Sequence, residues 1–156
     1  MDADRVAGEQ AVSLDAVRRQ RVGVRTALDE LERALAAPSA GRAKDWTSMV
    51  CERTAALAAA FANHVTVTEE PAGLFDDILA HAPRLAGRIT RLRNEHVEIA
   101  ARLSAVELAA LNEDPEEEVE AVRDATLAVM GAVVRHRSAG SSLLYEAFFV
   151  DIDAAD

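Results

Sequence analysis

Apolar positions recur along this chain at threes and fours rather than at twos, a period that predicts helices. From Val12 onward, Val17, Val24, Leu28, Leu31 and Leu35 share one face, which predicts an amphipathic helix to about Ala37, ended by "PSAG" at 38–41. A second helix is expected to open near Asp45, a usable N-cap followed by Trp46. Its inner face reads Trp46, Val50, Leu57, Phe61, His64 and Thr68. "PAGLFDDILAHAP" at 71–83 is a connector between two prolines, with room for a short helix over one end of the molecule. Leu85, Ile89, Leu92, His96, Ile99, Leu103 and Val106 then alternate spacings of four and three, the seam of a third long helix. "NEDPEEE" ends it near Asn112 and starts a fourth, with Asp114 as N-cap, Pro115 at the first helical position and Glu117 three residues after the cap. Glutamates 116–118 complement the positive end of that helix, which accounts for the charge run without a partner. The fourth helix turns Val119, Val122, Met130, Val133, His136, Gly140, Leu143 and Ala147 inward and ends near Phe149.

Short connections make neighbouring helices antiparallel. The expected fold is therefore all-α: an antiparallel up-and-down four-helix bundle with a short connector helix between helices 2 and 3. It is read as a single domain over residues 1–156, with residues 1–10 polar and frayed.

Composition narrows the function classes. Half the residues are apolar but only 4% are aromatic, so the core is Ala, Leu and Val, suited to close helix packing. A formal charge of −10 argues against nucleic acid and against anionic membrane surfaces, both of which attract basic patches. Cys51 is the one cysteine, so no internal disulfide forms and a reducing compartment is expected. The N-terminus has no apolar core of a signal peptide, and no uncharged run approaches ~18 residues. A cytoplasmic protein is the expectation.

Four histidines carry the candidate chemistry. His81 lies in the connector and is expected to face solvent. His64, His96 and His136 each fall on an apolar seam, one on each of helices two, three and four. At about 1.5 Å per residue, His96 lies roughly 24 Å before the end of its helix and His136 roughly 31 Å beyond the start of the next. That mismatch is comparable to the error of boundaries drawn from sequence, so the two can share a layer. A seam histidine is either a core residue with a hydrogen-bond partner or a ligand. Three in one core are costly unless they share a carboxylate, a water or a metal. Imidazole with carboxylate suits iron, zinc or manganese, and the absence of thiolates removes the case for a cluster. Cys51 is remote from the histidines along its helix and receives no role.

The stretches "HVTVTEEPAGLFDDIL" (64–79), "APRLAGRITRLRNEHVEI" (82–99) and "RHRSAGSSLLYEAFFVDI" (135–152) resemble the hemerythrin-like, HHE cation-binding family, from about Trp46 to Asp151. That resemblance implies the same bundle and a non-haem di-iron centre, held by histidines and carboxylates from the helices and able to bind oxygen, nitric oxide or peroxide. It also implies ligands that this chain lacks. His64 is followed four later by Thr68 where the family has Glu, with Glu69 one step on. His96 is followed by Ala100 where the family has a second His. After His136, Gly140 and Ser141 stand where an acid is expected, and Leu14 to Arg21 contain no histidine. The implied metal set is His64, His96 and His136 with Glu69, holding one or two iron ions or none. Glu70 and Glu146 are further acid candidates, though Glu146 stands nearly three turns beyond His136. Tyr145 is read as packing. Arg18, Arg19 and Arg21 face the level of the missing first-helix ligand, where one turned inward would mimic a cation or pair with Glu69. Thr68, Ala100 and Gly140 are expected to open into one cavity beside the histidines.

Three functions follow. The first is a module that binds or senses a small diatomic or peroxide ligand. The second is a non-haem metal oxidoreductase. The third is a metal-free bundle that takes an apolar ligand or a protein partner. The sequence leaves the oligomeric state open and permits a homodimer.

Overall fold

Helices form where the apolar period runs, and the punctuation between them is short. A computed structural model describes the backbone of residues 2–149 and the side chains of residues 15–149. The long helices are α1 (Asp2–Ala36), α2 (Ala43–Glu69), α4 (Ala86–Ala109) and α5 (Pro115–Phe148). The short α3 (Leu74–His81) and a single 3₁₀ turn at Pro83–Leu85 bridge α2 and α4. No strand occurs among the described residues. The all-α four-helix bundle with a connector helix is the observed architecture, α1 packing chiefly on α2 and α4 on α5. No helix among the described residues is long and apolar enough to cross a membrane.

The seams are where the period puts them. Val17, Val24, Leu28, Leu31 and Leu35 of α1 are buried, as are all seven seam positions from Leu85 to Val106. The start of α5 is also as read: the Asp114 carboxylate accepts from the Glu116 and Glu117 amides at 2.9 and 3.2 Å, and Pro115 opens the helix.

Other boundaries differ. Backbone from Asp2 is helical, so α1 begins ten residues ahead of Val12, where the apolar period starts, and takes in most of the 1–10 segment. The N-cap of α2 is Arg42, without a side-chain cap bond, and Asp45 sits inside the first turn. There its charge still favours the helix dipole. In α5 the core takes Thr126 and Val129, with Met130 only partly buried. Thr126 is tolerated because its hydroxyl donates to the Val122 carbonyl at 2.6 Å, leaving no orphaned polar atom. The resemblance ran on to Asp151; residues 150–156 lie outside the described residues.

The connector turns sharply at "PAG". A Cβ on Gly73 would lie 2.7 Å from the Glu70 carbonyl oxygen and 2.9 Å from that of Val67, so only glycine lets α3 tuck against the end of α2. Leu74, Phe75 and Ile78 of α3 then cap one end of the bundle.

The buried apolar residues form two clusters. One gathers Trp46, Val50, Leu57, Phe61, Ile99, Val106 and Val133 with the second half of α1. The other gathers Val17, Phe75, Ile78, Leu92 and Leu143 under α3. His96 lies between Leu92 and Ile99, and His136 between Val133 and Leu143. The polar layer of the bundle therefore separates two apolar halves.

Candidate metal centre

α2, α4 and α5 each deliver one imidazole to that layer. The ligand nitrogens of His64, His96 and His136 all lie within 4.8 Å of one another. His136 Nε2 stands 3.1 Å from His96 Nε2 and 3.3 Å from His64 Nε2. Phe61, one turn before His64 on α2, packs against all three rings at centroid distances of 5.6 to 5.7 Å. Phe75 of α3 stacks on His96 at 5.8 Å, closing the layer from the connector side. His81 is exposed, its Nδ1 2.8 Å from the Asp77 carbonyl oxygen, and takes no part.

Two carboxylates fix two of the rings. His96 Nδ1 donates to Glu69 Oε1, and His136 Nδ1 donates to Glu95 Oε2 at 2.8 Å. An ionised carboxylate only accepts, so the ring nitrogen facing it carries the hydrogen. The Nε2 atoms of His96 and His136 are thereby left as lone pairs pointing at each other. One hydrogen from His64 can satisfy one of them but not both. Glu69 is thus brought to the far nitrogen of His96, away from the converging Nε2 atoms.

The electrostatics favour the neutral form of His64 and His96. Burial, then His96, His136 and Arg21, push the His64 pKa down to about 3. Burial also lowers His96, against the upward pull of its bond to Glu69. Neutral imidazole is the form that ligates a metal.

The two separations made by His136 Nε2 suit one ion. With metal–nitrogen bonds of about 2.1 Å, adjacent ligand atoms are about 3.0 Å apart in octahedral and about 3.4 Å apart in tetrahedral geometry. The observed separations of 3.1 and 3.3 Å fall between the two. Paired lone pairs, carboxylates behind the rings and matching spacing all fit a bound cation.

A cavity of about 40 Å³ opens beside His64 and His136, with Arg21, Thr68, Arg137 and Gly140 in its wall. Thr68 and Gly140 thus share the space expected of them. Ala100 does not: it is exposed and lines a separate groove of about 490 Å³ between α2 and α4, with His96 and Glu69 also in its wall. The reason is rotation, since α4 turns His96 to the centre and Ala100 toward α2. The Thr68 hydroxyl donates back to the His64 and Val65 carbonyls at 2.9 and 3.1 Å, so it is occupied by its own helix.

Of the three α1 arginines expected near the missing ligand, Arg18 and Arg19 are exposed and Arg21 turns in. Its guanidinium donates to Ser141 Oγ rather than reaching Glu69. Glu146 is engaged by Arg88 and stays away from the histidines. Tyr145 is 61% exposed and stacks on Phe149 at 5.7 Å. Glu70 is exposed.

Sequence reading missed Glu95 and Arg137. Glu95 immediately precedes a seam histidine, about 100° round the helix from it, and that offset aims it at α5. "NEH" was the available clue.

The family model for the hemerythrin HHE cation binding domain matches residues 12–147. No curated protein and no solved structure matches the chain. A match over most of the chain, with three histidines at metal-binding distance, means that this protein belongs to the hemerythrin HHE cation-binding domain family.

Proposed function

We propose that this chain holds one divalent non-haem metal ion on Nε2 of His64, His96 and His136, and binds a small ligand such as dioxygen, nitric oxide or peroxide there. Iron is the ion that the family resemblance implies. What carries the reading is the pair of Nε2 lone pairs on His96 and His136, turned toward each other at 3.1 Å while Glu95 and Glu69 take the opposite hydrogens. A cation removes that repulsion. When bound, the metal supplies an open coordination position for a small ligand.

The chain's own groups do the rest. Glu69 and Glu95 act on the histidines rather than on the ion, fixing each ring's tautomer and raising its basicity. Phe61 and Phe75 hold the ring planes. Val17, Val24, Leu92 and Leu143 in the cavity wall limit water beside His64. Its volume of about 40 Å³ suits a ligand of two or three heavy atoms, since one water needs about 10–15 Å³. A reducing, cytoplasmic setting suits the single, half-buried Cys51.

Metal analysis after purification without chelator and anaerobic reconstitution with ferrous iron tests this. One iron per chain is expected, and its loss in His96→Ala with His136→Ala. No uptake by the parent protein overturns the reading and leaves a metal-free bundle. Two irons per chain would overturn the mononuclear site in favour of a di-iron centre.

A further inference from the structure

Two guanidiniums stand in the wall of the cavity beside the histidines. Arg21 comes from α1 and Arg137 from α5, the residue after His136. In a chain with 27 acidic and 17 basic residues, an arginine readily finds a carboxylate. Arg53 pairs with Glu30, Arg88 with Glu146 and Arg102 with Glu98. Among the described residues neither cavity arginine has such a partner. Arg21 gives one hydrogen bond to the Ser141 hydroxyl, out of five donors. Arg137 Nε is buried with no hydrogen-bond partner among the described residues. A buried donor left unmet is costly and calls for an explanation. The two cations are close enough to repel: Arg21 is held below its ordinary pKa by burial and then by Arg137.

We infer that this cavity is a binding site for a small planar monoanion, of the size of nitrite or formate, held between the Arg21 and Arg137 guanidiniums next to the histidine cluster. Size selects the class. About 40 Å³ takes roughly three water-sized units, enough for three heavy atoms and too little for phosphate or sulfate. Charge selects it too, because two guanidiniums without a carboxylate partner among the described residues leave the space electropositive. A guanidinium offers a planar fork that matches a two-oxygen anion. The Thr68 hydroxyl, already donating to its own helix, adds no competing donor. Apart from the two histidines and Gly140, the remaining lining is Val, Leu and Phe, which strengthens each charge-assisted bond by excluding water. This goes beyond the metal reading and does not require it.

The test is a titration of sodium nitrite, with formate as second probe, into the full-length protein at constant ionic strength set with sodium chloride. The arginine Nε–H resonances of Arg21 and Arg137 are followed by NMR in metal-free and in zinc-loaded protein. Saturable shifts of both resonances in the metal-free form are expected, with none from phosphate. Arg21→Met and Arg137→Met are each expected to weaken nitrite at least tenfold, and Arg21→Lys to weaken it less than Arg21→Met. Circular dichroism checks that each variant is folded. If either fails to fold, the titration of the parent protein still decides. Shifts that rise linearly without saturation overturn the site. So does saturable binding that both Met variants leave unchanged. Metal uptake is scored separately at the histidine ring resonances. Nitrite binding without zinc or iron uptake supports the anion site and sinks the metal reading alone, whereas metal uptake without nitrite binding does the reverse.

Discussion

His136 Nδ1 donates to the Glu95 carboxylate at 2.8 Å, so a residue of α4 sets the ring of a residue of α5. Glu95 is part-exposed and touches no ion in the proposed site, yet it decides which nitrogen of His136 keeps the hydrogen. Glu95→Ala is expected to lower metal affinity about 10- to 100-fold, the usual cost of losing such a carboxylate. Glu95→Gln, which can still accept through its amide oxygen, should lose less. Competition with a chelator of known affinity reads both. Equal affinity in parent and Glu95→Ala would show that the bond orients nothing the metal needs.

Acid should destabilise the metal-free bundle through His64. Its folded pKa, about 3, lies far below the unfolded value of about 6.5, and His96 is displaced in the same direction. Between those values the unfolded chain binds more protons than the folded one. Stability therefore rises with pH across that window and is lost as pH falls from about 6.5 toward 3. Urea unfolding at pH 7.0, 5.5 and 4.5 measures the slope. His64→Leu should flatten it, and an unchanged slope would place the acid sensitivity elsewhere.

Chelation should leave the helices intact. Leu31, Val50, Leu57, Val106, Val122 and Val129 are among the fully buried side chains, each contributing about 1.5–3 kcal/mol by burial. Both apolar clusters are complete on either side of the histidine layer. A small zinc domain differs, because there metal binding is the folding energy. Far-ultraviolet circular dichroism after exhaustive chelation is expected to match the untreated protein. Loss of most helicity would make the metal structural.

Gly140 lies in the interior of α5, and a Cβ built there meets no atom within 4 Å. Gly140→Ala should stabilise the protein by roughly 0.5–1 kcal/mol, through reduced freedom of the unfolded chain. The shift in urea midpoint measures it. A destabilised variant would mean that the cavity wall is tighter than its open appearance.

Fold and site were legible to different depths. The α4 seam was readable because seven positions repeat without interruption and all seven are buried. His64, His96 and His136 were readable for the same reason: periodicity reports which face a residue takes. Periodicity does not report height or rotation about neighbouring axes. Glu95 was therefore missed, since it lies off its own seam and its partner, His136, is on α5. Ala100 was placed in the wrong space for the same reason, four residues from His96 but turned to the α2 side. Glu69 was found as an acid near the site, while its position on the far nitrogen of His96 depends on where α2 ends. The inward turn of Arg21 against the outward Arg18 and Arg19 was legible but unread: Arg21 stands four residues after Val17 and three before Val24, on the buried face of α1.

Arg21 also governs what it would take to rebuild the missing ligands. Thr68 and Gly140 face the cavity beside His64 and His136, so carboxylates at those two positions would point at the proposed site. In Thr68→Glu with Gly140→Glu, however, the new acids meet Arg21 and Arg137 first. A carboxylate paired with a guanidinium in a water-poor space gives up that partner reluctantly, because an unpaired buried charge costs several kcal/mol. The double variant is therefore expected to bind no more metal than the parent and to lose the nitrite response, its own carboxylates occupying the anion site. Adding Arg21→His removes one cation and places an imidazole on α1, where the family resemblance implies one. That triple variant is expected to bind more than one iron per chain and to be less stable than the parent when metal-free. Iron stoichiometry of the two variants side by side is the measurement. A double variant that already gains iron would show that Arg21 does not hold the new acids, and a triple variant that gains none would show that the cavity is not a lapsed second metal position.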